Sequence, residues 1–117
     1  KDPIERRLLG IAFWQEDMQN KTIDAELIFK KLDKTKEAYK GIKEDLIYEA
    51  EEFYSNSENL QKDVKEMLLS IEEEYLNEEM LKKMMELKNP KDKKEEIEIL
   101  KKISEINKRK EEIKNNR

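Results

Sequence analysis

The feature that most constrains this chain is a run of 31 residues, from Glu58 to Lys88, that contains neither glycine nor proline. The run ends at Asn89-Pro90, and a second helix-forming stretch follows almost at once. Proline cannot continue a helix, because it lacks an amide N–H and its ring clashes with the preceding turn. Short connections place neighbouring helices antiparallel. The sequence therefore predicts a long helix, a tight turn at Asn89-Pro90 and a final helix that returns along the first.

The spacing of apolar residues in the final stretch supports this hairpin. Ile99, Ile106 and Ile113 are seven residues apart, which is the repeat of a coiled-coil seam, and Ile103 falls between them. Asp92 stands where it can cap the start of the last helix. The residues of the preceding helix that we expect to pack on this seam are Met80, Met84 and Leu87.

The first half of the chain predicts shorter helices that form a small bundle. Asp2 and Pro3 make a helix start signal, and apolar residues then surround the helix, which indicates a central position. Gly10 costs about 1 kcal/mol of helix propensity, and a close crossing by another helix would explain it. Asp24 and Ser55 are the expected caps of later helices. The side chains expected to point inward from these later helices are Leu27, Ile28, Leu32, Ile42, Leu46, Ala50 and Phe53.

Composition agrees with an elongated helical protein. Charged residues make up 46% of the chain and hydrophobic residues 36%, which is lean for a single compact core. Disorder is the competing interpretation, and the helical spacing of the apolar residues argues against it. The predicted fold class is all-α: a small helical bundle over residues 3–72, followed by a protruding C-terminal antiparallel helical hairpin over residues 76–115.

The residue types argue against catalysis. The chain has no cysteine and no histidine, so a disulfide framework, the usual zinc site and a histidine base are all excluded. Two glycines cannot build a phosphate-binding loop. The glutamate clusters alternate with lysines, as solvated helix surfaces do. We expect no catalytic residue, no metal site, no cofactor and no small-molecule ligand. A helical enzyme using paired carboxylates is the remaining catalytic alternative.

Charge and hydropathy also limit the partners. Residues 88–117 hold 11 basic and 7 acidic residues, whereas residues 1–87 hold 14 basic and 22 acidic ones. The acidic majority disfavours nucleic-acid binding, which relies on neutralising phosphates, and only the basic end leaves DNA binding open. No apolar run approaches the roughly 18 residues of a membrane span, and no signal peptide begins the chain. A cytoplasmic protein with no membrane partner is expected.

Three stretches carry a resemblance to a known family. They are "IERRLLGIAFWQED" at the start, "IEEEYLNEEMLKKMMELKN" before the turn and "EEIEILKKISEINKRKEEIKN" after it. Together and in this order they resemble the C-terminal, helicase-binding domain of bacterial DNA primases of the DnaG type. The resemblance implies a bundle followed by a hairpin that docks on the replicative hexameric DNA helicase and recruits primase to the replication fork. It also implies that this chain is a non-catalytic fragment, with the polymerising core elsewhere.

The arm supplies candidate contact residues for such docking. We expect apolar side chains on it to bury against the partner and nearby cations to steer the encounter. The apolar candidates are Leu81, Met84, Met85, Ile97 and Leu100, and the basic ones are Lys101, Lys102, Lys108 and Arg109. The same apolar face makes the hairpin a candidate for self-association. Two other functions stay open: a generic helical adaptor, and the N-terminal domain of the replicative helicase, which is similar in fold to the primase domain.

Overall fold

The structure is a computed structural model that describes residues 3–20 and 22–117. These residues form helices and connecting turns without any strand, so the predicted all-α fold is confirmed. The chain divides into two compact units, Lys1–Leu68 and Leu69–Arg117. The helices are α1 (Pro3–Asp17), α2 (Ala25–Leu32), α3 (Lys43–Tyr54), α4 (Leu60–Leu87) and α5 (Lys93–Asn115), with a 3-10 helix (Lys36–Ile42) before α3.

Helix α1 is the centre of the first unit. Every residue from Leu8 to Gln15 is buried, and α1 packs against both α2 and α3. The predicted central position of this helix is therefore confirmed. Its expected cap, Asp2, lies outside the described residues. At one end of α1, the guanidinium of Arg6 pairs with the carboxylate of Glu49 on α3, and this hydrogen bond lowers the pKa of Glu49.

Gly10 lets α1 and α3 approach closely. A Cβ atom built on Gly10 would lie 2.6 Å from the backbone oxygen of Leu46 and 3.2 Å from the Cβ of Ala50. The first distance is shorter than any van der Waals contact, and the obstacle is backbone, which cannot move aside cheaply. The predicted close crossing is thus confirmed, and it explains why a poor helix former sits in the middle of this helix.

Side chains at the ends of the predicted stripes are more exposed than expected. Leu27 is 42% exposed, because α2 buries the i, i+3, i+4, i+7 set that begins at Ala25 and includes Phe29. Phe29 packs edge-on against Phe13, with ring centroids 5.0 Å apart. The inward positions expected for Leu27, for Ile42 at the end of the 3-10 helix and for Phe53 in the last turn of α3 were therefore wrong. Ile28, Leu32, Leu46 and Ala50 are buried as predicted.

Helix α4 begins later than predicted and runs without interruption. Asn59 caps it, since its side-chain oxygen accepts the backbone N–H of Lys62 at 3.1 Å. The predicted cap, Ser55, instead ends α3 in helical conformation. Ser57 has a different role, donating its hydroxyl to Asp63 at 2.6 Å. From Leu60 onward, 28 consecutive residues are helical, and the helix does not restart at Asn77.

The turn that joins α4 to α5 uses side chains to end one helix and start the next. Asp92 accepts the backbone N–H of Glu95 at 2.8 Å, and Glu95 in return accepts the backbone N–H of Lys91 at 2.7 Å. This reciprocal pair satisfies two amides that the first turn of α5 would otherwise leave unbonded. Asp92 is thus the cap that the sequence predicted.

We predict that Gly10→Ala destabilises the protein although alanine is the better helix former. The added methyl group has to displace the backbone of Leu46, which should lower the free energy of unfolding by about 1–3 kcal/mol. Gly41→Ala is the matched control, because nothing lies within 4 Å of a Cβ at Gly41. Urea unfolding should show the control to be neutral or slightly stabilised. Equal effects of the two substitutions would contradict the close crossing.

We predict that Asp92→Ala loosens the start of α5. Loss of the capping oxygen should cost about 0.5–2 kcal/mol and should speed hydrogen exchange at the amide of Glu95. Asp92→Asn is the control, since asparagine caps as well as aspartate does. NMR-detected amide exchange distinguishes the two variants, and unchanged protection in Asp92→Ala would show that the cap is dispensable.

Candidate docking surface on the hairpin

A heptad seam holds the second unit together. Ile99, Ile106 and Ile113 of α5 are buried, with exposed fractions of 4%, 8% and 0%, and Ile103 is half-buried. The seven-residue seam predicted from the sequence is therefore present. Because this seam is the only interface that two helices can share, it determines which other side chains stay exposed.

The facing helix meets the seam with a residue that the sequence analysis did not select. Met80 and Leu87 are half-buried as expected, but Met84 is 53% exposed, so its predicted place in the seam was wrong. The half-buried position is Lys83, which follows Met80 by three residues and precedes Leu87 by four, as a heptad requires. Its ammonium reaches Glu86 at 3.2 Å while its aliphatic stem covers the seam.

An ion pair fixes the register of the two helices. Arg109 donates to both carboxylate oxygens of Glu72, from Nε at 2.7 Å and from Nη2 at 2.8 Å. Arg109 also donates to Glu112 at 3.2 Å, and its pKa is raised, chiefly by the hydrogen bond to Glu72. Closer to the chain end, Arg117 donates to Glu73 at 2.9 Å. These contacts show that α5 returns antiparallel along α4, as predicted.

The ion pair also identifies the two sides of the hairpin. Since Glu72 and Arg109 touch, they define one side, which we call the ionic flank. Leu81 follows Glu72 by nine residues and Leu100 precedes Arg109 by nine. Nine residues are about 2.5 helical turns and about 13 Å of rise. Leu81 and Leu100 therefore lie together on the opposite side, at the same level and closer to the turn. We call that side the apolar flank.

Five apolar side chains around this position are exposed, and we call them the tip patch. Leu81 and Leu100 have exposed fractions of 65% and 49%. Met84 and Met85 lie about one turn beyond Leu81, and Ile97 lies about one turn from Leu100 toward the same end. The exposed fractions of these three are 53%, 69% and 57%. The structure thus brings together the five apolar residues selected from the sequence.

The four basic candidates do not join the tip patch as one surface. Arg109 defines the ionic flank, and its guanidinium is already engaged by two carboxylates. Lys102 precedes Arg109 by seven residues and so shares its side of α5, where it lies 3.9 Å from Glu105. Lys101 and Lys108, also seven residues apart, are exposed on the outer side of α5. Only these two remain placed to steer a partner toward the patch.

Sequence analysis missed Glu72 and Lys83 as structural residues of the arm. The signal for Glu72 was available: it lies 18 residues before Pro90, and Arg109 lies 19 residues after it. Opposite charges at equal distances from a predicted hairpin turn are candidates for an interhelical ion pair. For Lys83, a strict alternation of three and four residues from Leu76 onward would have selected it before Met84.

A groove beside α2 in the first unit does not offer a comparable site. It is lined by Leu27, Phe29 and Lys36 among others. Lys36 is paired with both Glu16 and Glu26, and these hydrogen bonds raise its pKa. Because two carboxylates already surround this ammonium, the groove is not suited to bind an anion.

Two further searches covered residues 3–20 and 22–117. In these ranges, no group of three or more acidic side chains is placed to hold a metal ion. No helix among them is long and apolar enough to cross a membrane.

Comparison of the chain with protein-family models, with curated proteins and with solved structures found no match. Its function is therefore argued from the residues of the hairpin and from the sequence resemblance.

We predict that hydrogen peroxide oxidises the five methionines in two groups. Met85 and Met18 are 69% and 65% exposed, whereas Met67 and Met80 are half-buried. Since access limits the oxidation of methionine, the exposed pair should react several-fold faster than the half-buried pair, with Met84 closer to the exposed pair. Peptide mass spectrometry over time measures each rate. Met18 lies in the first unit and serves as the internal reference for full exposure.

Proposed function

We propose that this chain is a non-catalytic docking module and that its tip patch binds another protein. The observation that carries the proposal is the exposure of five large apolar side chains, at 49–69%, on an arm whose only interhelical seam is already filled. Single exposed apolar residues are ordinary on protein surfaces. A contiguous group on the same flank of two helices is not, and such groups mark interaction sites.

The side chains of the patch suit a contact that forms and dissociates. Burying a leucine or methionine that starts about half exposed offers on the order of 1 kcal/mol each, and association has its own entropic cost. The patch therefore supports an exchangeable interface better than a permanent one. Its two methionines, Met84 and Met85, are flexible and polarisable, so they can adapt to the partner's surface.

The partner that we propose is the replicative hexameric DNA helicase. This choice rests on the resemblance of the opening and closing stretches to the helicase-binding domain of bacterial primases. An all-α chain that ends in a long helical hairpin is compatible with that domain. In this proposal the chain is the cytoplasmic C-terminal part of a primase, and docking of the hairpin brings the primase to the replication fork. The catalytic core of the primase lies outside this chain.

The proposal is tested by titrating the 117-residue chain with the helicase of the same organism. The variant carries Leu81→Glu and Leu100→Glu, which place two carboxylates where the partner should bury apolar surface. We expect at least about a tenfold weaker dissociation constant, since more than about 1.4 kcal/mol should be lost. Isothermal titration calorimetry measures the change, and circular dichroism checks that helix content is retained.

Tyr75→Glu provides the matched control. Tyr75 is 58% exposed on the same helix, but it follows Glu72 by three residues and so lies toward the ionic flank. Binding by this variant should equal that of the parent chain. If the parent chain does not bind the helicase, the choice of partner is wrong. If the double variant binds as well as the parent, the tip patch is not the docking surface.

A further inference from the structure

Charge along the apolar flank changes sign between the turn and the other end of the hairpin. On α4, Glu74, Leu81 and Lys88 are each seven residues apart, and all three are exposed. Seven residues are about two helical turns, so the three side chains lie in one row. The row starts with a carboxylate, has a leucine at its centre and ends with an ammonium beside the turn.

Helix α5 repeats this order on the same flank. Lys93, Leu100 and Asn107 are also seven residues apart and exposed, and Glu111 follows one turn later. Lys93 is at the turn end and Glu111 is at the opposite end. Both helices therefore present a basic group beside the turn, apolar groups in the middle and an acidic group farther away.

A surface with this order is complementary to its own inverted copy, and we propose that a second copy of the chain covers the apolar flank. The two hairpins lie face to face and antiparallel, about a two-fold axis that crosses α4 and α5 at the level of Leu81 and Leu100. Each of these leucines then meets its own equivalent in the second copy. Glu74 of each copy faces Lys88 of the other, because both are seven residues from the axis. The contact is isologous, so it closes at two copies.

The charges select this orientation over the alternative. A parallel arrangement would bring Lys88 and Lys93 of both copies together at one end, and like charges in contact are unfavourable. The antiparallel arrangement replaces that repulsion with two Glu74–Lys88 pairs. A partner of unrelated sequence has no reason to match this spacing, whereas a second copy matches it by symmetry.

The dimer and the docked complex use the same side chains. The tip patch cannot contact a second copy and a different protein at once, so the two associations exclude each other. The patch is small beside the roughly 800 Å² per partner of a standard interface, and the dimer should therefore form weakly and release the patch on demand. This inference shares the tip patch with the proposed function, but it does not depend on the identity of the partner.

The experiment is sedimentation equilibrium of the whole 117-residue chain over a concentration series. The apparent mass should rise with concentration from 14.2 kDa toward twice that value. Glu74→Lys and Lys88→Glu, each made alone, should weaken the dimer about tenfold, since each loses two ion pairs and creates two repulsive ones. The double variant Glu74→Lys/Lys88→Glu restores opposite charges across the axis, and its dissociation constant should return close to that of the parent.

Glu98→Lys is the control for a change of net charge alone. Glu98 precedes Arg109 by eleven residues, about three turns, so it lies on the ionic flank and should leave the dimer unchanged. A chain that stays at 14.2 kDa at all concentrations would overturn the inference. So would a dimer that ignores both single substitutions, or one that the double variant does not restore.

The two proposals fail separately. A chain that is monomeric but binds the helicase leaves the docking function standing without the dimer. A chain that forms the predicted dimer but does not bind the helicase leaves the dimer standing without that partner.

Discussion

Two helices share only one interface, and this constraint decides most of what the second unit can do. The isoleucines of α5 occupy that interface at seven-residue intervals and are almost completely buried. Any apolar residue elsewhere on the pair remains in contact with water, because no third element within the hairpin can cover it. Leu81 and Leu100 are in this position. In the first unit the constraint does not apply, since α1 is packed by two other helices and is buried along eight consecutive residues.

The ion pair between Glu72 and Arg109 gives the hairpin two unlike sides. It fixes the register of α5 on α4, and it uses the charged atoms of Arg109 inside the unit. A guanidinium held by two carboxylates is a poor choice for long-range attraction of a partner, because its field is largely cancelled nearby. The division into an ionic and an apolar flank is therefore also a division of roles: one side maintains the register, and we propose that the other side binds.

Much of the fold followed from local chemistry that the sequence displays directly. Asp92 and Asp24 cap the helices they were expected to cap, and Gly10 marks the crossing of two helices. What failed depended on information beyond a single helix. Whether Leu27 or Phe29 turns inward is decided by the ring of Phe13, which comes from another helix. Asn59 displaced Ser55 as the cap of α4 because both positions carry suitable side chains, and tertiary packing chose between them.

The choice between Met84 and Lys83 illustrates why the docking surface was found even though one seam residue was misplaced. A lysine stem can fill an interhelical seam and still bring its ammonium to a carboxylate, here Glu86. A methionine that loses that place has nowhere else to go on a two-helix arm, so it becomes exposed and adds to the apolar flank. The seam thus trades a hydrophobic side chain for an amphipathic one, and the displaced methionine extends the surface proposed to bind a partner or a second copy. Replacing Met84 by a polar residue should accordingly weaken association far more than it weakens the hairpin, because its contribution to the seam is already small.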